Sequence, residues 1–251
     1  MRIVAIIVIV AAFISGCAGA PPLPKIELSH GDRVGLFVKV GDSPSHTHVG
    51  TTVFNNFIKK YPYNWNLDAD VTRAVEQAIA DAGFTAVDLR KEGLNCAEVS
   101  GLINPVEGRW QITPGKEGMI RRLREQFGIK ALLVVTEGSV TTALECAGGP
   151  CVARYANNSG LYTRSVFGLP PVYLAVAAYQ WSVFVLDPVA DVAMVDPLKT
   201  MLQYPSIRLF GFKAPVDFKN LTEGEFIPVR EAILKFVEKV SKEAVRDLNR
   251  K

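Results

Sequence analysis

The stretch 129–136, IKALLVVT, is apolar at every position except Lys130 and Thr136. A nearly continuous apolar run of this length is typical of a strand that is buried on both faces of a sheet. We therefore predict that this segment is a central strand, with other elements covering it from both sides.

Two strands and two helices are predicted before this strand. Residues 31–40 alternate between apolar and other positions, as a strand does, and 84–89 form a second short strand. Residues 68–82 have one apolar face and precede a glycine, which indicates a helix. A second helix is expected over 113–127, beginning at a Thr-Pro pair. Alternation of strands and helices predicts an α/β sheet with some parallel pairing.

The pattern changes after the central strand. Residues 137–171 are rich in Gly, Asn, Ser and Pro, which predicts a long loop or insertion. Residues 172–187 are predicted to form one long strand, followed by a short return strand. The amphipathic stretch 226–248 predicts a long helix, and Thr222 and Glu225 have the spacing of a capping box before it. The predicted order is β-α-β-α-β-β-β-α, a mixed sheet flanked by helices in the α/β class, with α+β as the alternative.

The beginning of the chain predicts export. Residues 1–16 combine a cationic start at Arg2, an apolar run over 3–13 and small residues, as a signal peptide does. The apolar run is shorter than the roughly 20 residues that span a bilayer. The motif ISGC at 14–17 resembles a bacterial lipobox, which implies acylation of Cys17. An ordinary signal peptide with a chance cysteine is the alternative.

Lipidation would give the chain a membrane partner through a lipid anchor. In the lipoprotein family, a residue other than aspartate after the cysteine, here Ala18, implies transfer to the outer membrane. Residues 17–30 contain three prolines and are predicted to be an extended spacer. Residues 31–251 are then expected to form a single domain, with the insertion near 137–171.

Charge and cysteine content bound the possible partners. The formal net charge is +3, or about +2 without Arg2, which argues against nucleic-acid binding. In an oxidising compartment, Cys146 and Cys151 on either side of a Gly-Gly-Pro turn favour a disulfide, with two reduced thiols as the alternative. Cys96 is then the odd thiol and is expected to be buried.

Two local clusters are candidate sites. His46 and His48 would point to the same side of a strand and could share a metal ion, but too few further ligands lie nearby, so a plain polar segment is favoured. Tyr61, Tyr63 and Trp65 form an aromatic loop that either binds a partner or covers the core.

The sequence lacks the common catalytic motifs. It has no G-x-S-x-G nucleophile elbow, no H-E-x-x-H zinc motif, no P-loop and no G-x-G-x-x-G after a strand. We therefore predict no catalytic residue, no metal site and no cofactor.

The order of elements resembles that of a group of envelope lipoproteins with one α/β domain. The matching segments are 34–40 (VGLFVKV), 68–89 (DADVTRAVEQAIADAGFTAVDL), 118–138 (GMIRRLREQFGIKALLVVTEG), 172–187 (VYLAVAAYQWSVFVLD) and the helix from Phe226. The group includes the curli secretion channel lipoprotein, activator lipoproteins of penicillin-binding proteins, an exopolysaccharide-export lipoprotein and the amino-terminal domain of the TolB periplasmic protein. A shared order of elements does not determine function.

Three functions remain open at this point. The first is a non-enzymatic binding or assembly factor, held at the outer membrane and facing the periplasm, as a monomer or a homo-oligomer, whose partner is an envelope protein or polysaccharide. The second is an oligomeric secretion or export pore, which the irregular 137–171 region disfavours because it lacks the alternation of membrane strands. The third is an envelope hydrolase with a site scattered along the chain.

Overall fold

The computed structural model describes residues 20–142, 154–165, 167–168 and 170–249. Its strands are β1 (Arg33–Lys39), β2 (Ser45–Val49), β3 (Phe57–Lys60), β4 (Thr85–Asp88), β5 (Ile103–Val106), β6 (Arg109–Ile112), β7 (Ile129–Glu137), β8 (Val140–Thr142), β9 (Arg154–Ala156), β10 (Gly160–Arg164), β11 (Val172–Val176), β12 (Tyr179–Leu186), β13 (Val189–Asp191) and β14 (Ser206–Arg208). Its helices are α1 (Leu67–Asp81), α2 (Cys96–Val99), α3 (Glu117–Glu125), α4 (Leu198–Gln203) and α5 (Glu223–Leu248).

The first sheet has five strands in the order β13-β12-β7-β1-β4. β1 pairs in parallel with β4 and β7, whereas β12 pairs antiparallel with β7. Residues 131–135 of β7 each expose no more than 4% of their surface. The prediction of a mixed α/β sheet with 129–136 as its central strand is confirmed.

Alternation along the strands directs side chains into two separate cores. Leu36 and Leu133 point into the larger core, which α1 and α5 cover. Phe37 and Leu132 point to the opposite face, where Ile120 of α3 packs. Each such fully buried side chain contributes roughly 1.5–3 kcal/mol relative to an exposed one. Burial on both faces therefore explains why β7 is apolar almost throughout.

A second sheet lies beyond the carboxyl end of β1, with the order β14-β11-β10-β2-β3. β2 and β10 are parallel neighbours. β2 forms an antiparallel hairpin with β3, and β10 forms one with β11. Both hairpins consequently turn at the same end of the sheet. This second sheet is absent from the predicted order of elements.

Two predictions about the middle of the chain need correction. Residues 172–187 form two strands, because β11 belongs to the second sheet and β12 to the first. The chain crosses between the sheets at Ala177 and Ala178, which are completely buried, so no polar residue marks the break. The region 137–171 is not simply a loop insertion, since its described part contains β8, β9 and β10, and β10 is the middle strand of the second sheet.

The long terminal helix begins three residues earlier than predicted, at Glu223. The predicted capping box is present: the main-chain N–H of Thr222 donates to Glu225 Oε2 at 2.7 Å, and the Thr222 hydroxyl donates to the same oxygen at 2.9 Å. By contrast, α3 begins at Glu117, because Thr113 and the residues after it form a turn. Within the described ranges no helix is long and apolar enough to cross a bilayer.

The predicted spacer does not extend away from the domain in its described part. The indole Nε1 of Trp110 donates to the carbonyl of Pro22 at 3.1 Å. Ile26 is 5% exposed and belongs to the larger core, and two flanking leucines pack against that core. The interpretation of 17–30 as a free spacer is therefore wrong from residue 20 onward, because its apolar side chains are buried on the domain.

Phe226 at the start of α5 packs edge-on against Tyr61 and Trp65, with ring centroids 4.9 and 5.4 Å away. We expect Phe226→Ala to lower the free energy of unfolding by about 3–5 kcal/mol, because it leaves a cavity among these rings. Ile227→Ala is the control, since Ile227 is 55% exposed and its loss should change stability by less than about 1 kcal/mol. Urea unfolding of both variants tests this, and equal losses would contradict it.

Candidate functional site

A groove lies between strand β14 and helix α5, and we call it the β14–α5 groove. Its volume is about 1110 Å³, and Thr200 and Met201 of α4 also line it. β14 is the outermost strand of the second sheet, so this side of the sheet is bounded by α5 rather than by another of the described strands. The volume lies slightly above the range of about 300–1,000 Å³ that is typical of ligand sites.

The surface of the groove is largely apolar. Its floor consists of partly buried side chains that pack on the larger core, namely Met201, Ile207, Leu209, Phe212, Ala232 and Phe236. Two aromatic side chains stand above this floor, with Phe210 exposed by 85% and Tyr204 by 48%. Exposed aromatic residues over a continuous apolar floor are typical of a binding surface.

Local backbone geometry explains why Phe210 is exposed. The chain continues beyond β14 along β11 as far as Leu209, whose N–H donates to the carbonyl of Tyr173 at 3.0 Å. Gly211 then adopts a φ of +73°, a conformation that favours glycine, and the chain turns away from the sheet. Phe210 is left at the turn, with the guanidinium of Arg208 5.3 Å from its ring centroid. This cation–π contact orients the ring.

The rim of the groove is mainly positive. Four cationic side chains line it against two acidic ones: Arg208, Lys213, Lys235 and Lys239 against Glu225 and Glu231. The carboxylate of Glu225 already accepts hydrogen bonds from Thr222 at the start of α5. The three lysines are solvent-exposed, so their charges remain accessible at the edge of the apolar floor.

The aromatic loop at 61–65 lies against the domain. Tyr61 and Trp65 each expose 4% of their surface, and Tyr63 is partly buried. The hydroxyls of Tyr61 and Tyr63 donate to main-chain carbonyls of residues 219 and 221, both at 3.0 Å. Two of the three candidate binding residues therefore offer little area to a ligand, and the loop covers the core around Phe226.

His46 and His48 lie on the same face of β2, as the alternation predicts. Both rings contact one hydroxyl: Thr163 Oγ1 is 2.8 Å from His46 Nε2 and 2.8 Å from His48 Nδ1. A hydroxyl has one proton, so Thr163 donates to one ring and accepts from the other. Phe57 and Phe218 pack edge-on against His46. The described residues contain no group of three or more His, Cys, Asp or Glu side chains placed to hold a metal ion.

Burial keeps these histidines neutral. It lowers the pKa of His46 from 6.5 to about 4, and repulsion from His48 adds to this effect, against a smaller opposing contribution from the main chain of Phe218. Burial also lowers the pKa of His48. Because His46 and Thr163 expose none of their surface, a substrate has no access to them. The cluster is a buried polar contact between β2 and β10.

The cysteines divide between described and undescribed residues. Cys17, Cys146 and Cys151 lie outside the described ranges. Cys96 has a free thiol, and its Sγ lies 3.3 Å from Ser100 Oγ. Its residue type predicted full burial, but Cys96 is only partly buried.

The residues of the groove were not among the sequence-based candidates. They come from two segments, 200–213 and 224–239, whose proximity only the fold reveals. The available signal was the sequence RLFGFK at 208–213, in which cations flank two phenylalanines and a glycine. That signal is weak because its residues can equally form part of a core.

Searches of protein-family models, of curated proteins and of solved structures each found no match to this chain. A functional assignment therefore depends on the residues and geometry described above.

The buried histidines make stability depend on pH. Since the pKa of folded His46 is about 4, the unfolded chain binds more protons below pH 6.5, and stability is lost as the pH falls toward 4. The loss from His46 alone is about 3 kcal/mol. We expect His46→Gln to reduce the change in unfolding free energy between these pH values, measured by urea unfolding. An unchanged pH dependence in the variant would contradict this.

Proposed function

We propose that the chain is an outer-membrane lipoprotein that faces the periplasm and acts as a non-enzymatic binding or assembly factor. The lipid on Cys17 would hold it at the membrane, and the β14–α5 groove would bind an envelope partner. The observation that supports binding most directly is the apolar groove of about 1110 Å³ beside Phe210, which is 85% exposed. Exposure of apolar surface of this kind to water costs free energy, and that free energy is recovered when a partner covers the surface.

The groove has the features of a prepared binding surface. Its floor rests on the main core, so the floor side chains are held in place before any partner arrives. Pre-formed surfaces lose less conformational entropy on binding than mobile ones. Phe210 has the exposure of a contact residue and shares the groove with other apolar and cationic side chains.

The proposal of lipidation is supported by the motif at 14–17 and by its position relative to the fold. Cys17 precedes the first residues that pack on the domain by only a few positions. More than one acyl chain is needed for stable attachment, and lipoprotein-type acylation provides this.

An envelope hydrolase receives less support from the geometry. A hydrolase would need an accessible nucleophile, and the Thr163 hydroxyl between His46 and His48 is completely buried.

Replacement of Cys17 tests the membrane attachment. We expect Cys17→Ser to abolish labelling of the protein by a fatty-acid analogue and to move it from the membrane fraction to the soluble fraction, because serine lacks the thiol that is acylated. Cys96→Ser is the matched control and should retain both properties. Unchanged labelling and fractionation of Cys17→Ser would show that the lipobox interpretation is wrong.

A photoreactive residue in the groove tests the binding function. We expect benzoylphenylalanine at position 210, introduced in cells and irradiated, to give one discrete adduct with an envelope protein or polysaccharide. The same residue at position 54 is the control, since Phe54 is 93% exposed but lies outside the groove. The proposed function fails if position 210 gives no adduct, or only the adducts that position 54 gives.

A further inference from the structure

We infer that the β14–α5 groove binds a peptide segment of a partner protein that combines apolar and acidic side chains, an inference that rests on the proposed binding function. The groove offers a long apolar floor with exposed Phe210 and a rim in which cations outnumber acids two to one. Apolar side chains of the peptide would contact the floor, and its carboxylates would face the rim.

The positive rim is a local property of the groove. The whole chain has 28 basic and 25 acidic residues, so its charges are nearly balanced elsewhere. Lys235 and Lys239 are one helical turn apart on α5 and flank Phe236 of the floor. Cations beside an apolar surface select a ligand that places carboxylates at the matching spacing, and they repel a basic ligand.

The helix also leaves a main-chain acceptor without its normal donor. Pro228 has no main-chain N–H, so it cannot donate to the carbonyl of Gly224 four residues earlier. Both residues line the groove. A peptide has N–H groups that can donate to such a carbonyl, whereas a fatty acid has none.

The β3 edge of a second copy of this chain matches the groove poorly. Ile58 on this edge is 67% exposed, and Phe54, in the turn that precedes β3, is 93% exposed. Lys59 and Lys60 follow Ile58 directly on β3. Insertion of this edge into the groove would bring lysines toward Lys235 and Lys239, and like charges at an interface oppose association. The charges therefore disfavour docking of this edge and favour an acidic ligand.

Two synthetic peptides test the inference on the purified full-length protein, kept in detergent. The two peptides have the same length and the same leucine and phenylalanine positions, and both carry a neutral fluorophore. At the remaining positions, one peptide has glutamate and the other has lysine. We expect only the acidic peptide to bind, as followed by fluorescence anisotropy. Lys235→Glu combined with Lys239→Glu should weaken its binding by about tenfold or more, since the reversal removes two attractive charge contacts and adds two repulsive ones.

Matched variants separate charge from folding. Lys199→Glu combined with Lys242→Glu changes the net charge equally at positions that do not line the groove, and it should leave binding unchanged. Lys235→Gln combined with Lys239→Gln should also weaken binding, without adding acidic neighbours on α5. Phe210→Ser should weaken binding, whereas Phe54→Ser should not.

Several outcomes would overturn the inference. These are equal binding of both peptides, binding of neither, displacement of the acidic peptide by dodecanoate, or self-association in sedimentation that Phe210→Ser abolishes.

The in-cell adduct at position 210 distinguishes failure of this inference from failure of the proposed function. If the adduct persists with Lys235→Glu and Lys239→Glu present, the binding function stands and the acidic peptide is excluded. If it is absent from the parent protein, the binding function itself fails.

Discussion

Helix α5 packs against strands of the second sheet and against helix α1, which itself lies on the first sheet, and the rest of the fold depends on that burial. Its inward side chains Ile233 and Val237 lie in the same core as Leu133 of the first sheet and Ala175 of the second. A sheet is stable only when an apolar face is covered, so α1 and α5 together supply the cover that joins the two sheets. The flank of α5 that carries Ala232 and Phe236, next to the exposed Lys235 and Lys239, forms one wall of the groove. Folding and the proposed binding surface thus share a single element.

The parts of the fold that could be predicted are those whose pattern is local. The continuous apolar run at 129–136 predicts the central strand. The helical periodicity and the capping box predict α5. The crossing at Ala177 and Ala178 could not be predicted, because a strand pattern does not show to which sheet each half belongs. β10 was hidden for another reason: its Thr163 is polar yet buried, since it bonds to two histidines instead of water.

The candidate sites show the same limit. Alternation correctly placed His46 and His48 on one face, but their common partner Thr163 lies more than a hundred residues away in the sequence. Tyr61 and Trp65 have side chains that serve equally well in a core or at an interface, and only their contacts with Phe226 distinguish the two. Phe210 is exposed instead, because the chain turns at Gly211. Its sequence is equally compatible with a buried side chain.

The attachment of the amino-terminal segment has a consequence for how the protein would stand at a membrane. Residues from 20 onward lie on the domain and enter the first sheet at the amino end of β1, whereas the second sheet lies beyond its carboxyl end. Three residue steps from position 17 to position 20 reach at most about 10 Å. A lipid on Cys17 would therefore keep the segment that packs on the domain from residue 20 close to the headgroups, so the domain would rest near the bilayer surface and not at the end of a long tether.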